Sequence, residues 1–251
     1  MTRAYFVSDI HLKNPAEPKS VVFLKFLDRL LAESKGPERA THLFLVGDIF
    51  DLWVGEHEYF RDRFRPMVDK IAAIAKAGVE VHYFEGNHDL HLEGFWHSQL
   101  GVHVHRDQAY FDLAGQRVRV EHGDLINPDD KGYLFLRWFL RTPVMTSLAL
   151  NLPDRAVTAI GRRASDSSRK YTSTAKSLPM DQIRECVRSH AKRVFRDEPF
   201  DLLISGHVHV KDDFTFDESG RKVRSVNLGS WYDLAKAFVL TETSAEFIDL
   251  E

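Results

Sequence analysis

The chain has 251 residues, 43% of them hydrophobic, with a formal net charge of -3, which is enough apolar content for one substantial core and too little positive charge to suggest nucleic-acid binding. Its only cysteine, Cys186, has no partner for an intramolecular disulfide, which suits a reducing compartment. The sequence enters the run Ala4–Ser8 without a basic and then long apolar leader, and no apolar run is long enough for a bilayer, so a cytoplasmic protein able to rest on a membrane surface is expected.

Three short runs rich in β-branched and aromatic residues, Ala4–Ser8, His42–Val46 and Val79–Phe84, read as buried strands, each ending in a polar cluster. Between them Val22, Phe23, Phe26, Leu27, Leu30 and Leu31 recur at helical spacing, as do Phe60, Phe64, Met67, Val68, Ile71 and Ile74. The opening is therefore βαβαβ, whose parallel strands end along one edge where ligands gather. Beyond Gly101, Tyr110–Leu113 and Arg117–Glu121 flank Ala114-Gly115 as a hairpin, the expected start of a second sheet. Asp130 to about Ser177 reads as helical and irregular, and a helix follows over Asp181–Arg196. Strands resume at Leu202–Ser205, Asp213–Phe216, Val223–Asn227, Ala237–Thr241 and Ala245–Leu250. One domain over 1–251, with a helical insertion at about 130–180, is the expected organisation.

The polar clusters carry the chemistry. Asp9-Ile-His11 follows the first strand, Gly47-Asp48-Ile-Phe-Asp51 the second, and Gly86-Asn87-His88-Asp89 the third, while His122-Gly-Asp124 and Gly206-His207-Val-His209 follow later apolar runs. Any one of these is an ordinary polar turn in a chain with 13 histidines; five in order, all at strand ends, are not. Carboxylate, imidazole and amide together suit two divalent transition metals, Mn above all, or Fe or Zn, rather than Mg or Ca, which take oxygen shells. Two such ions activate a shared water and screen a phosphoryl group. Asp48, at the second of the parallel strand ends, is the natural bridge. His42, His57, His82, His91, His97, His103, His105 and His190 belong to no such set and read as surface or packing residues.

Asp9-x-His11, Gly47-Asp48-x-x-Asp51, Gly86-Asn87-His88-Asp89, His122-Gly-Asp124 and Gly206-His207-x-His209 together resemble the signature of calcineurin-like metallophosphoesterases. The resemblance implies an α/β/β/α sandwich in which Asp9, His11, Asp48 and His209 hold one metal and Asp48, Asn87, His122 and His207 the other. It further implies a catalytic loop of Asn87, His88 and Asp89, with His88 over the phosphate as acid or charge stabiliser and Asp89 orienting it; Asp51 and Asp124 would support the ligands. A narrower resemblance, carried by His122–Tyr133 and Lys176–Asp181, is to UDP-2,3-diacylglucosamine hydrolases, which release UMP and a diacylated sugar phosphate. Asp130, Tyr133, Arg163, Ser168 and Lys176 fall where those enzymes contact substrate. Between Lys131 and Lys176 nine basic residues meet two acidic ones, a local charge of +7 suited to pyrophosphate or anionic lipid headgroups. The apolar residues there, among them Phe135, Trp138, Phe139, Val144 and Leu148, either receive acyl chains or pack the insertion onto the domain.

Two departures stand out. The UDP-2,3-diacylglucosamine hydrolases, enzymes of lipid A synthesis, typically carry arginine where this sequence has His88, and a titratable imidazole does not replace a bidentate guanidinium. Their tryptophan-glycine-acid stretch is altered here to Trp53-Val-Gly55-Glu56-His57. A pyrophosphatase of a lipid-linked nucleotide is thus the leading expectation; a phosphodiesterase or phosphomonoesterase of small nucleotides, and a scaffold without catalysis, are the alternatives.

Overall fold

The computed structural model describes residues 1–36, 38–161, 179–232 and 234–250. In chain order they form β1 (Arg3–Val7), α1 (Pro18–Ala32), β2 (His42–Leu45), β3 (Trp53–Val54), α2 (Glu58–Arg63), α3 (Arg65–Lys76), β4 (Glu80–Phe84), β5 (Asp89–Leu90), a π-helical turn (Glu93–His97) and β6 (His103–His105). Then come β7 (Ala109–Leu113), β8 (Gln116–Val120), α4 (Lys131–Leu140), α5 (Pro143–Asn151), α6 (154–161), α7 (Met180–Asp197), β9 (Leu202–Ser205), β10 (Asp212–Glu218), β11 (Arg221–Asn227), β12 (Lys236–Thr241) and β13 (Ala245–Asp249).

Two sheets follow from the patterning. The first runs β13-β12-β1-β2-β4-β6, with β1, β2, β4 and β6 parallel and β12 and β13 antiparallel at one side. Its central strands are continuous apolar runs because both faces are covered. Tyr5, Val7, Leu43 and Leu45 point to a core shared with α1 and α3, whereas Ala4, Phe6, Phe44 and Phe84 point to the second sheet. That sheet, β10-β11-β9-β8-β7, turns Val118, Val120, Leu202, Ile204 and Val226 inward. On its outer face Leu203 and Val223 pack against Ala191, Val194 and Phe195 of α7. The result is the four-layer α/β/β/α sandwich that the family resemblance implied.

One detail differs from the sequence reading. The helical spacing from Phe60 to Ile74 is split at Phe64, whose backbone (φ -105, ψ 19) leaves the helix. Pro66 lacks the N–H that a continuous helix would direct to the carbonyl of Asp62, and its ring would press on that carbonyl. The hairpin falls as expected on Ala114 and Gly115, at φ 51 and 72, the left-handed pair that a two-residue hairpin turn requires. Among the described residues no helix is long and apolar enough to cross a membrane.

The cement between the sheets is aromatic: Phe6 and Phe44 stack at 4.4 Å between ring centroids, and both are fully buried. Phe44→Ala should therefore cost about 3–5 kcal/mol, seen as a lower urea midpoint with an unchanged slope.

Candidate metal centre

The C-terminal ends of β1, β2, β4, β8 and β9 open toward one place, and backbone hydrogen bonds lock their loops together. Asp9 N donates to Gly47 O at 3.1 Å, His11 N to Asp48 O at 3.0 Å, and Gly206 N to His122 O at 2.8 Å. To turn side chains inward, Asp9, His11, Asp48, His207 and His209 adopt φ between 51 and 71, which side chains with a Cβ enter at a cost. They are five of the eight non-glycine residues with positive φ among those described, so backbone strain concentrates here.

The glycines of the motifs make room for neighbours. A Cβ on Gly86 would lie 2.1 Å from Asp48 Oδ1, one on Gly206 2.4 Å from Asp9 Oδ2, and one on Gly47 2.2 Å from His122 Nδ1. Each glycine is the seat of a carboxylate or imidazole supplied by another loop.

Two groups of donors result. In the first, His209 Nε2 lies 3.2 Å from both His11 Nε2 and Asp9 Oδ1. In the second, His207 Nδ1 lies 3.2 Å from His122 Nε2, which is 3.5 Å from Asn87 Oδ1. Asp48 Oδ2 stands between them, 3.9 Å from His11 Nε2 and 3.7 Å from His122 Nε2. Ligands about 2.0–2.1 Å from one ion sit roughly 3–3.5 Å from each other, so these spacings fit two cations with Asp48 shared. Asp9 Oδ1 is shielded from solvent and has no hydrogen-bond partner of its own, as a carboxylate oxygen reserved for a cation would be. His122 Nδ1 donates to the carbonyl of Val46 at 2.9 Å, which leaves Nε2 as a lone-pair donor.

Burial governs the protonation of the set. It holds His11 well below its ordinary value, with the charge of His88 adding to the effect, and brings His207 down to about 4, helped by His122. Both rings thus offer lone pairs at neutral pH. Burial also disfavours a charged His122, but Asp48, Asp9 and Asp124 outweigh it and carry this imidazole up to about 9, so a cation binding there displaces a proton.

A family model described as Calcineurin-like phosphoesterase matches residues 2–211. The chain belongs to the calcineurin-like phosphoesterases. It is similar to the UDP-2,3-diacylglucosamine hydrolases of Stenotrophomonas maltophilia strain K279a (28% identity over 91% of this chain and 90% of that one) and of Aeromonas salmonicida strain A449 (29%; 93% and 88%). Among solved structures, a novel archaeal phosphodiesterase aligns over 99% of both chains at 10% identity with a TM-score of 0.48, and an Entamoeba histolytica Vps29 mutant over 99% of both at 14% and 0.42. The protein is a hydrolase acting on phosphoester bonds, a family whose members use divalent metal ions, and the scaffold alternative gives way to that.

In this phosphoesterase His88 sits beside the two donor groups, its ring 4.8 Å from that of His11, and with His11 and Asp48 it forms a third set of atoms close enough to share an ion. Its expected partner is corrected. The Asp89 carboxylate does not reach the His88 ring; it accepts from the amides of Asp48 (2.9 Å), Gly86 (2.8 Å) and Ile49 (2.9 Å) and from the Tyr83 hydroxyl (2.7 Å). Asp89 therefore staples the second and third loops together, and burial together with the charge of Asp48 pushes it up to about 6. His88 Nδ1 instead donates to the Asp51 carbonyl at 2.9 Å, so backbone orients the ring.

Of the expected substrate contacts, Asp130 caps α4 by accepting from Tyr133 N at 3.0 Å, and the Tyr133 hydroxyl donates to Asp124 Oδ2 at 3.1 Å with its ring 5.6 Å from that of His207. Arg163, Ser168 and Lys176 lie outside the described residues. The eight remaining histidines enter none of the described groups of imidazole and carboxylate atoms close enough to share an ion.

Three neighbours escaped the sequence reading. Arg137 Nε donates to Asp124 Oδ2 at 2.6 Å, fastening α4 beside His122. Tyr232 lies nearly parallel to His11, 5.8 Å between centroids, and Lys19 Nζ donates to the carbonyls of Ile10 (2.5 Å) and His11 (3.3 Å) from a position over the Tyr232 ring. No short motif contains them; Lys19 and Arg137 fold back onto the centre from the helices that follow His11 and Asp124, and Tyr232 reaches it from far along the chain. Gly86→Ala should push Asp48 out of place, and the expected result is at least a tenfold fall in bound manganese by elemental analysis, with the far-UV spectrum retained.

Proposed function

We propose that the chain hydrolyses the pyrophosphate bond of UDP-2,3-diacylglucosamine or a closely related lipid-linked nucleotide, giving UMP and an acylated sugar phosphate. The observation that carries this is an uncovered apolar surface fastened to the metal centre. Phe135, Trp138 and Phe139 lie on one face of α4, with Phe135 and Trp138 exposed by 63% and 62%, and Val144 and Leu148 continue the surface on α5. No residue of α4 or α5 is fully buried, so packing, such as that of Leu150 against Gly55, accounts for only part of their apolarity. Tyr133 and Arg137 of the same α4 hold Asp124, two residues past His122. An acyl chain laid along α4 would thus keep its headgroup at the donor groups. The names of the similar hydrolases support the same reading.

On this proposal 1–251 is one domain and α4 to α6 belong to a cap over its site, which extends over about 130–180. Asp9, His11, Asp48 and His209 would hold one cation and Asp48, Asn87, His122 and His207 the other, with manganese, iron or zinc favoured by mixed imidazole, carboxylate and amide donors. When bound, such a pair supplies an activated water and offsets the charge of the phosphoryl group. The protein's own part is to hold the ligands at fixed spacing, to keep His88 oriented through the Asp51 carbonyl so that its Nε2 faces the leaving oxygen, and to bring the lipid alongside through α4. Asp130 and Tyr133 border the entrance, and Arg163, Ser168 and Lys176 are proposed to meet the anionic headgroup. On the same reading, a lipid-borne substrate and a basic, apolar cap would favour a position at the cytoplasmic face of an anionic membrane.

A second reading, hydrolysis of small phosphodiesters, is favoured by one observation. His88 is buried with Nδ1 committed to backbone, so it offers a single nitrogen where a guanidinium would grip two phosphate oxygens. A coupled assay of UMP release from UDP-2,3-diacylglucosamine, run beside bis-p-nitrophenyl phosphate in manganese, separates the two. A preference of at least 10³ in kcat/KM for the lipid is expected, and comparable values would leave the second reading in possession. Trp138→Asp should raise KM for the lipid alone, about tenfold. Asp48→Ala should abolish turnover and lower metal content, whereas His88→Ala should lower kcat by about 10²-fold with the metal retained.

A further inference from the structure

The stretch Trp53–His57 has a place in the structure that the metal centre does not explain. Trp53 and Val54 pair in parallel with Asp89 and Leu90, and the Trp53 amide donates to the His88 carbonyl at 2.8 Å. With Asp51 accepting from the His88 ring, the segment 51–54 holds this residue at both backbone and side chain. Three residues past that ribbon, His57 is buried and turned the other way, toward the cap. Its Nδ1 lies 2.8 Å from Asp154 Oδ1 in α6, and its Nε2 2.8 Å from the Ala149 carbonyl in α5.

The contact is a joint rather than a single bond. The second oxygen of Asp154 accepts from the Tyr59 amide at 3.0 Å, and the His57 bond foremost holds the Asp154 carboxyl below its ordinary range. Leu150 of α5 occupies the space that a Cβ on Gly55 would need, 2.3 Å from its position, and Leu52 does the same for Gly161 of α6. Val157 of α6 is buried in the core that contains Trp53. On its other side the cap is fastened to Asp124 through Tyr133 and Arg137. It therefore spans the site from the loop of His122 to the ribbon that carries His88.

We infer that His57 is a positioning residue that clasps α5 and α6 to the β3–β5 ribbon, so that seating of the cap and placement of His88 are set together. Substrate that presses on the cap thereby acts on the geometry of the catalytic loop. The inference depends on the proposed function only in taking His88 as catalytic.

The test uses His57→Ala, Asp154→Ala and their combination in the manganese-loaded full chain, with turnover of bis-p-nitrophenyl phosphate, which needs no acyl chain, and amide exchange over 143–161. Each single substitution is expected to lower kcat for the diester about tenfold with little change in KM, since small misplacements of a catalytic group cost one to two orders of magnitude. The pair should lose no more than either alone, bound metal should be unchanged, and 143–161 should exchange faster. In a His88→Ala background His57→Ala should cost nothing further, a result that general loosening of the fold would not give. His57→Gln, which keeps a donor, should recover part of the rate and replaces the alanine variant if that one does not fold. Additive losses, unaltered exchange over 143–161, or a full further loss without His88 would overturn the inference. If His88→Ala alone leaves turnover intact, the catalytic role of His88 falls, and the exchange measurement still decides whether His57 clasps the cap.

Discussion

Everything at the centre turns on the Asp48 carboxylate. It is buried, stands between two sets of imidazole and carboxylate groups, and accepts from the His88 amide at 2.9 Å through the oxygen that does not face them. Gathering such groups out of water is unfavourable unless charge is matched and every polar atom engaged. The chain meets part of that demand with glycines that let loops interpenetrate and with Asp89, which gathers three amides and a phenol so that the loops keep their spacing, while Asp9 Oδ1, His11 Nδ1 and His209 Nδ1 are left without hydrogen-bond partners. The left-handed residues are the cost of this convergence, and they persist because the loops over-determine them.

The two-sheet architecture makes the convergence possible. Asp9, His11, Asp48 and Asn87 come from the first sheet, His122, His207 and His209 from the second. A slip of one sheet across the other would separate the two sets, and the interlocked aromatic layer around Phe6, Phe44 and Phe238 resists it. Packing in the interior thus determines the spacing of the donors at its edge.

What was legible in the sequence was what local pattern can carry. Continuous apolar runs ending in Asp, Asn and His marked the strand ends, because a central parallel strand is apolar throughout and its chemistry can lie only beyond it. The ribbon of Trp53–Val54 and Asp89–Leu90 was not legible, since two residues a side are too few for alternation to register. His103–His105 was missed because its outer residues are polar, although His105 meets His82 at 3.0 Å. Asp89 was misread for a related reason. Adjacency to His88 suggested a side-chain pair, but neighbouring residues in an extended segment point to opposite sides, and Asp89 turns inward. Lys19, Arg137 and Tyr232 depend on tertiary placement alone, which no single-sequence pattern contains.

The long span of the chain between Asp9 and its neighbours has a consequence for biosynthesis. The Asp9 carboxylate accepts from the amide of His207, and β1 is completed on one side by β12. A ribosome must therefore release most of the polypeptide before the first strand acquires its antiparallel neighbour or the catalytic edge acquires its last imidazoles. Such distant closures are slow, and an unfinished chain cannot capture the ions that a completed one would hold.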